Sequence, residues 1–289
     1  MLAENPETSL WFVVRLRSKL FSIIGDLMSS VIQANGIRIN ARIDGPDSAP
    51  VVMFSNSLMS NLNMWDAQMA AVTARYRVLR YDQRGHGGTE TTPGPYPTQL
   101  HAEDAFAVIE AMGVGPVHFV GLSMGGFTAQ VLATQRPEVV RSLVLCDTAC
   151  VMPPGSLWNE RIEIAQTQGI EALAQGTLER WFTAPFHETG KAELAAVQAM
   201  ILGTGADGYI ACAEGIRDMR ICDKLSEIAA PSLVLVGESA PACPVSSAEV
   251  LHAGIAGSEL VVLKSAAHLP NIEQSEEFNR ILLGFIDRQ

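Results

Sequence analysis

Apolar and polar positions along the chain switch repeatedly between a two-residue and a helical period, and the switches mark its elements. Val31-Ile32-Gln33-Ala34 and Ile37-Arg38-Ile39-Asn40-Ala41-Arg42 are short β-type runs on either side of Asn35-Gly36, a strong hairpin signal. Val51-Val52-Met53-Phe54 is a continuous apolar run, as expected of a strand buried on both faces. A helix is predicted from Trp65 to Arg75, and a strand at Arg77-Val78-Leu79-Arg80-Tyr81. Leu100, Ala107, Val108, Ala111 and Met112 recur at helical spacing until Gly113 stops them. A strand at 117–120, a helix after Ser123 and a strand at Ser142-Leu143-Val144-Leu145-Cys146 follow.

Such alternation of apolar strands with helices predicts a mostly parallel sheet covered by helices on both faces. The strand pattern lapses from 151 to 222, where helices dominate. It resumes at Ser232-Leu233-Val234-Leu235-Val236 and Glu259-Leu260-Val261-Val262-Leu263, before a last helix near 275–287. The expected architecture is α/β: an eight-stranded sheet formed by 31–150 and 223–289. A helical cap, 151–222, is inserted after the sixth strand and lies over the active-site edge.

Residues 1–30 stand apart. Their apolar run, Leu10 to Ile24, is broken by Arg15, Arg17 and Lys19, and Glu4 and Glu7 precede it. A secretory signal has its cations first and its apolar run unbroken, and the interruptions rule out a bilayer span. An amphipathic helical extension is predicted, packing on the body, on a second copy as a homo-oligomer contact, or loosely on a membrane surface, with no stable membrane insertion.

Composition narrows the class. Apolar residues at 48% and charged residues at 18% describe a cored globular chain, not a disordered one. A net charge of −11 repels phosphates, so no nucleic-acid partner is expected. The five cysteines, at 146, 150, 212, 222 and 243, form no C-x-x-C pair and no zinc-like spacing with histidine. Their odd number suits a reducing compartment, the cytoplasm, with cysteine serving as a small buried apolar residue. Cys146 and Cys150 flank Asp147, but no nearby histidine completes a ligand set, and no metal is expected.

The candidate chemistry centres on Gly121-Leu122-Ser123-Met124-Gly125, placed between a strand and a helix. A strained strand-to-helix turn exposes a serine hydroxyl and needs small neighbours, which marks Ser123 as a nucleophile. Serine requires a base. Of six histidines, only His268 follows the last strand, in Ser265-Ala266-Ala267-His268-Leu269-Pro270, and active groups gather at the carboxyl ends of parallel strands. The third member, an acid that orients the imidazole, is expected between the two in chain order. Its usual place, the loop after 232–236, reads Gly237-Glu238-Ser239-Ala240-Pro241 and holds no aspartate. Asp147, at the end of the neighbouring strand, and Glu238 remain as alternatives. For the oxyanion, the backbone N–H groups of Met124 and of Leu58, or its neighbour Ser57, are the candidate donors. Trp158, Trp181, Phe182, Phe186 and Tyr209 are candidate walls of a substrate pocket, and Arg161 or Arg217 a candidate partner for a substrate carboxylate. Gly85-His86-Gly87-Gly88 lacks the spacing of a phosphate loop and is read as a turn.

Ser55-Asn56-Ser57-Leu58, Met64-Trp65-Asp66, Tyr81-Asp82-Gln83-Arg84-Gly85-His86-Gly87 and Gly121-Leu122-Ser123-Met124-Gly125-Gly126, in this order, resemble the α/β-hydrolase fold and its 3-oxoadipate enol-lactonase family. The cap agrees in Leu157-Trp158-Asn159-Glu160-Arg161-Ile162, Leu178-Glu179-Arg180-Trp181-Phe182, Gly208-Tyr209 and Ile216-Arg217-Asp218. The resemblance spans about residues 31–288. It implies hydrolysis of a small-molecule lactone or ester through an acyl-serine on Ser123, with His268 as base and no cofactor. The family's aspartate falls in a Gly-x-x-Asp-Pro pattern, where this chain has Ala240. Zearalenone hydrolases, lactonases of the same fold, take their acid after the strand that follows the nucleophile, which corresponds to Asp147. Two other readings stay open: a ligand-binding homologue that has lost catalysis, and a hydrolase of carbon–carbon bonds.

Overall fold

A computed structural model describes residues 30–152 and 155–289. The amphipathic extension expected at the N-terminus, and the oligomer contact through it, lie outside the described residues. The described residues open with β1 (Ser30–Ala34) and β2 (Ile37–Asp44). Asn35 and Gly36 join them at φ +46° and +75°, the pair of left-handed residues that a tight hairpin turn demands.

β2 pairs antiparallel with β4 (Arg77–Tyr81), which runs parallel to β3 (Val51–Ser55). From β3 the sheet continues in parallel through β5 (Val117–Leu122), β6 (Val140–Cys146), β7 (Ser232–Gly237) and β8 (Glu259–Leu263). The eight strands lie in the order β1-β2-β4-β3-β5-β6-β7-β8. Every position of β3, β5 and β7 is buried, because helices cover both faces of these central strands. The edge strands β1 and β8 keep exposed positions.

The flanking helices are α1 (Asp66–Val72), α2 (Thr98–Ala111) and α3 (Met124–Gln135) before β6. Between β6 and β7 come α4 (Gly155–Gln168), α5 (Glu171–Trp181), α6 (Ala184–Thr189), α7 (Lys191–Leu202) and α8 (Ala206–Asp218), which occupy the expected cap region. After β7 follow α9 (Val245–Gly254), the single turn α10 (Pro270–Glu273) and α11 (Ser275–Ile286). Among the described residues no helix is long and apolar enough to cross a membrane.

Parallel register places the carboxyl ends of β3, β5, β6, β7 and β8 along one edge. Ser55 lies beside Gly121, Leu122 beside Cys146, and Gly237 beside Leu263. Leu58, Ser123, Asp147, Glu238 and His268 all sit in the segments that leave this edge, and Met124 opens α3 there.

The cap is entered and left through a narrow neck. Val151 bridges Arg220 antiparallel, Ile221 donates its N–H to the Cys150 carbonyl at 3.0 Å, and Cys150 and Cys222 are joined as a disulfide. The expectation of five unpaired cysteines is therefore corrected for two of them. Their separation of 72 residues hides the pairing in the sequence, whereas the neck brings their Cα atoms to 4.8 Å. Cys146, Cys212 and Cys243 are free and buried, as small apolar residues would be. The cysteine-based argument for a cytoplasmic protein falls with that pairing.

Candidate active site

Ser123 occupies φ +54°, ψ −112°, between β5 and α3. A side chain is strained in this region, and the surroundings hold it there. The Ser123 N–H donates to the Cys146 carbonyl at 2.9 Å, and its own carbonyl accepts from the Thr148 hydroxyl at 2.9 Å. Crowding explains the glycines. A Cβ at Gly121 would strike the Gly125 carbonyl, one at Gly125 the Ser55 carbonyl, and one at Gly126 the Thr148 side chain.

The loop after β3 is fixed from several sides. Asn56 donates to the Tyr81 carbonyl at 2.7 Å and accepts from the Trp65 indole at 2.9 Å. Its backbone carbonyl takes the Gln83 amide and the Gly125 N–H. Next, the Ser57 N–H points to the Met64 sulfur at 3.3 Å, and the Met59 N–H donates to His86 Nε2 at 3.0 Å. Of these three, only the Leu58 N–H is left without an acceptor among the described residues, and Met124 opens α3, where a helix has no internal acceptor for its first N–H groups. Met59 itself sits at φ +61°. Burial lowers His86 to about 4, so its imidazole is neutral and able to accept. Its Nδ1 faces the Arg84 carbonyl at 3.3 Å and completes a consistent tautomer. The local sequence places His86 in a turn; its contact with the loop of Leu58 spans 27 residues.

Ser57, Leu58, Ser123 and His268 line one cavity of about 290 Å³, together with Trp158, Arg161, Arg180 and Trp181 of the cap. Larger concavities of about 600 and 560 Å³ elsewhere on the surface hold none of these residues. His268 is 2% exposed, and its backbone N–H binds the Trp181 carbonyl at 3.1 Å. Burial, and then the charges of Arg161 and Arg180, lower it to about 4. Ser123 and His268 share the cavity without a hydrogen bond between them.

Asp147 leaves the end of β6 at φ +41° and is 1% exposed. Its Oδ1 accepts the Gly237 N–H at 3.0 Å, while Oδ2 has no partner. His268 Nδ1 is likewise buried and unpartnered. Gly237, which Asp147 holds, also packs against the segment before His268, since a Cβ at Gly237 would strike the carbonyls of Ala266 and Ala267. Burial above all, with the Glu273 charge adding, pushes Asp147 well above the ordinary carboxylate range. Glu238 is exposed, with its backbone N–H on the Leu263 carbonyl, and Ala240 is buried in the loop that follows β7. Asp147 is thus buried on Gly237, which packs against the segment before His268, whereas Glu238 is exposed.

In the cap, Trp158 and Trp181 line the cavity as read from the sequence, and Tyr209 does not. Tyr209 is fully buried behind it, where its hydroxyl accepts from Arg161 Nε at 3.0 Å. Phe182 and Phe186 stack on each other with centroids 5.1 Å apart, away from the cavity wall. Arg217 pairs with Asp218 at 2.9 Å and also lies outside it. Arg180 was not anticipated. Burial and the adjacent charge of Arg161 lower its affinity for the proton. Neither Arg161 nor Arg180 has a carboxylate within ion-pair distance among the described residues. Among those residues no group of three or more His, Cys, Asp or Glu is placed to hold a metal ion.

Comparison with known proteins agrees with this geometry. Residues 50–167 match the alpha/beta hydrolase fold family. The chain is 32% identical over 257 residues to 3-oxoadipate enol-lactonase 2 of Acinetobacter baylyi, a match covering 89% of this chain and 96% of that one. The enol-lactonase of Burkholderia xenovorans LB400 superposes with a TM-score of 0.87 at 34% identity, covering 89% of this chain and all 100% of that one. A hydrolase from Pseudomonas aeruginosa PA01 gives 0.86 at 35% identity, covering 89% and 98% of the two chains. By its fold, the ordered loops of its sheet edge and these relatives, the chain belongs to the α/β hydrolases, in the family of the 3-oxoadipate enol-lactonases.

Proposed function

We propose that this enzyme hydrolyses a lactone or carboxylic ester through an acyl intermediate on Ser123. The observation that carries this reading is the opening of the strained Ser123 turn and of His268 into one cavity beside the unengaged Leu58 N–H. In the acylation step, His268 Nε2 takes the Ser123 hydroxyl proton as Oγ attacks the carbonyl carbon. The Leu58 and Met124 N–H groups receive the oxyanion. Collapse breaks the acyl–oxygen bond, and the imidazolium returns its proton to the departing oxygen. In a lactone that oxygen remains on the acyl chain. Water, deprotonated by His268, then attacks the acyl-serine carbonyl; the bond from Ser123 Oγ to the acyl carbon breaks, the imidazolium returns the proton to Oγ, and the acid is released.

Asp147 is the acid of this reading. An imidazolium at His268 is disfavoured by burial and by two arginines, so a carboxylate facing Nδ1 has its largest effect when that cation forms. The unpartnered Oδ2 and Nδ1 are the two atoms such a contact needs. Hydrogen bonds of this kind are often long in a ligand-free site and tighten when substrate binds.

The substrate of this reading carries a carboxylate. Arg161 and Arg180 bring two positive charges to the cavity, and among the described residues neither has a carboxylate partner and the buried Trp158 indole N–H has no acceptor. Two unpaired cations in a half-buried site favour an anionic ligand.

Labelling by a fluorophosphonate and turnover of a panel of lactones and aryl esters test the reading. Wild type should label and turn over, whereas Ser123→Ala should do neither and His268→Ala should label at a small fraction of the rate. A folded wild-type protein that neither labels nor turns over any lactone or ester would replace this reading by a ligand-binding one.

A further inference from the structure

Glu273, at the end of α10, is 8% exposed and has no cation within ion-pair distance among the described residues. Its carboxylate is held by three donors from two parts of the chain. Oε2 accepts the Ala267 N–H at 2.8 Å, one residue before His268. Oε1 accepts both the N–H of Thr183, at 3.0 Å, and the Thr183 hydroxyl. Thr183 belongs to the cap turn between α5 and α6, 90 residues away in sequence. The same turn supplies the Trp181 carbonyl, which accepts from the N–H groups of both His268 and Leu269, at 3.1 and 3.2 Å. The Trp181 ring lies 6.1 Å from the His268 ring.

A buried carboxylate without a counter-ion is a costly way to join two segments when apolar packing would serve. What three charge-assisted hydrogen bonds add is fixed direction. Residues 267–269 are in this way bound to the cap and not only to the end of β8.

We propose that Glu273 is a positioning residue, which locks the His268 loop to the cap turn Trp181–Thr183 so that the seated cap aligns the base with Ser123. The inference rests on His268 being the base, as read above. It goes beyond that reading in making the cap part of the base's alignment as well as the wall of the substrate pocket. A cap displaced from the sheet edge withdraws His268 with it.

The test uses two contacts and two backgrounds. Glu273→Gln keeps the shape but removes the charge and one acceptor; Thr183→Val removes the cap-side hydroxyl alone and leaves Glu273 and the fold in place. Each is measured with a short aryl ester, as kcat, KM and fluorophosphonate labelling rate, in the wild-type and His268→Ala backgrounds. Misalignment of a base predicts a loss of about 10- to 100-fold in kcat and labelling for Glu273→Gln, and a smaller loss for Thr183→Val, with KM changed less than about three-fold. In the His268→Ala background both substitutions should change the residual rate by less than about two-fold, because a residue acting through His268 has nothing left to act on. Equal losses in both backgrounds, or a lowered melting temperature with kcat intact below it, would overturn the proposal. Undiminished labelling in His268→Ala alone would instead remove the base assignment, and the proposal with it.

Discussion

Met59 gives its backbone N–H to Nε2 of His86 at 3.0 Å. That bond holds Met59 at φ +61° and leaves the preceding N–H, of Leu58, unengaged beside Ser123. His86→Ala removes the acceptor and frees the loop, so the Leu58 donor loses its fixed direction. We expect kcat to fall about 10²-fold, the scale of losing one oxyanion donor, with KM changed far less. Steady-state kinetics on a short ester, with circular dichroism to establish folding, check this. A kcat within a factor of two of wild type would show that the loop holds itself.

Asp147 and Glu238 make opposite predictions. Asp147→Asn keeps the buried shape and the acceptor for the Gly237 N–H, but it presents no carboxylate to an imidazolium. Its kcat should fall by on the order of 10³- to 10⁴-fold. Glu238 is exposed, and Glu238→Gln should leave kcat within about two-fold, as surface substitutions away from a site do. Ala240→Asp, placed in the Asp147→Asn background, should restore part of the rate by supplying the acid from the neighbouring strand end. Turnover of all three variants on one substrate decides the assignment. A fully active Asp147→Asn would dismiss it.

The parts of this site that were legible in the sequence are those set by local pattern. Nearly continuous apolar runs marked β3, β5 and β7 because a strand buried on both faces tolerates few polar positions, and the one inside β5, His118, has Ser142 as its partner. Paired glycines marked the Ser123 turn because its backbones cannot admit a Cβ. His268 followed from its place after the last strand. What stayed hidden depends on partners distant in sequence. The disulfide of Cys150 and Cys222 closes across 72 residues, and Glu273 meets Thr183 across 90. Arg180, within Leu178-Glu179-Arg180-Trp181, reads locally as one more charge on an amphipathic helix. Tyr209 misled in the other direction: its aromatic character suggested a pocket wall, while its hydroxyl serves to hold Arg161.

On the proposed reading, Arg161 and Arg180 should affect both affinity and pH response. Replacing either by Gln should raise KM for a carboxylate-bearing lactone by about 10-fold or more while leaving KM for a neutral ester nearly unchanged, since one charge-assisted contact is lost. The pH dependence follows from His268. Its imidazole is lowered to about 4, first by burial and then by these two cations. Removing a cation makes the imidazolium easier to form, so the folded pKa rises. The base is then protonated at higher pH, and the acid limb of kcat/KM moves upward by less than about one pH unit, because burial, the larger cause, remains. Profiles on a neutral ester isolate this effect from substrate ionisation. A limb that moves downward would contradict the placement of both arginines.

The disulfide at the neck of the cap should stabilise chiefly by restricting the unfolded chain. Closing a loop of 72 residues contributes about 4 kcal/mol in the chain-entropy view. Native geometry should survive its loss, because the Val151–Arg220 bridge and the Ile221 to Cys150 hydrogen bond still join the two sides of the neck. Cys150→Ser with Cys222→Ser is therefore expected to melt roughly 10 °C lower, to match reduced wild type, and to keep its kcat on a short ester at 25 °C. KM for a substrate that fills the cavity should stay close to that of wild type as well, since Trp158, Arg161 and Arg180 keep their places while the cap stays seated. Thiol titration of the unfolded protein checks the premise directly. Three thiols are expected before reduction and five after it; five before reduction would remove the bond, and with it the reason for the lowered melting temperature.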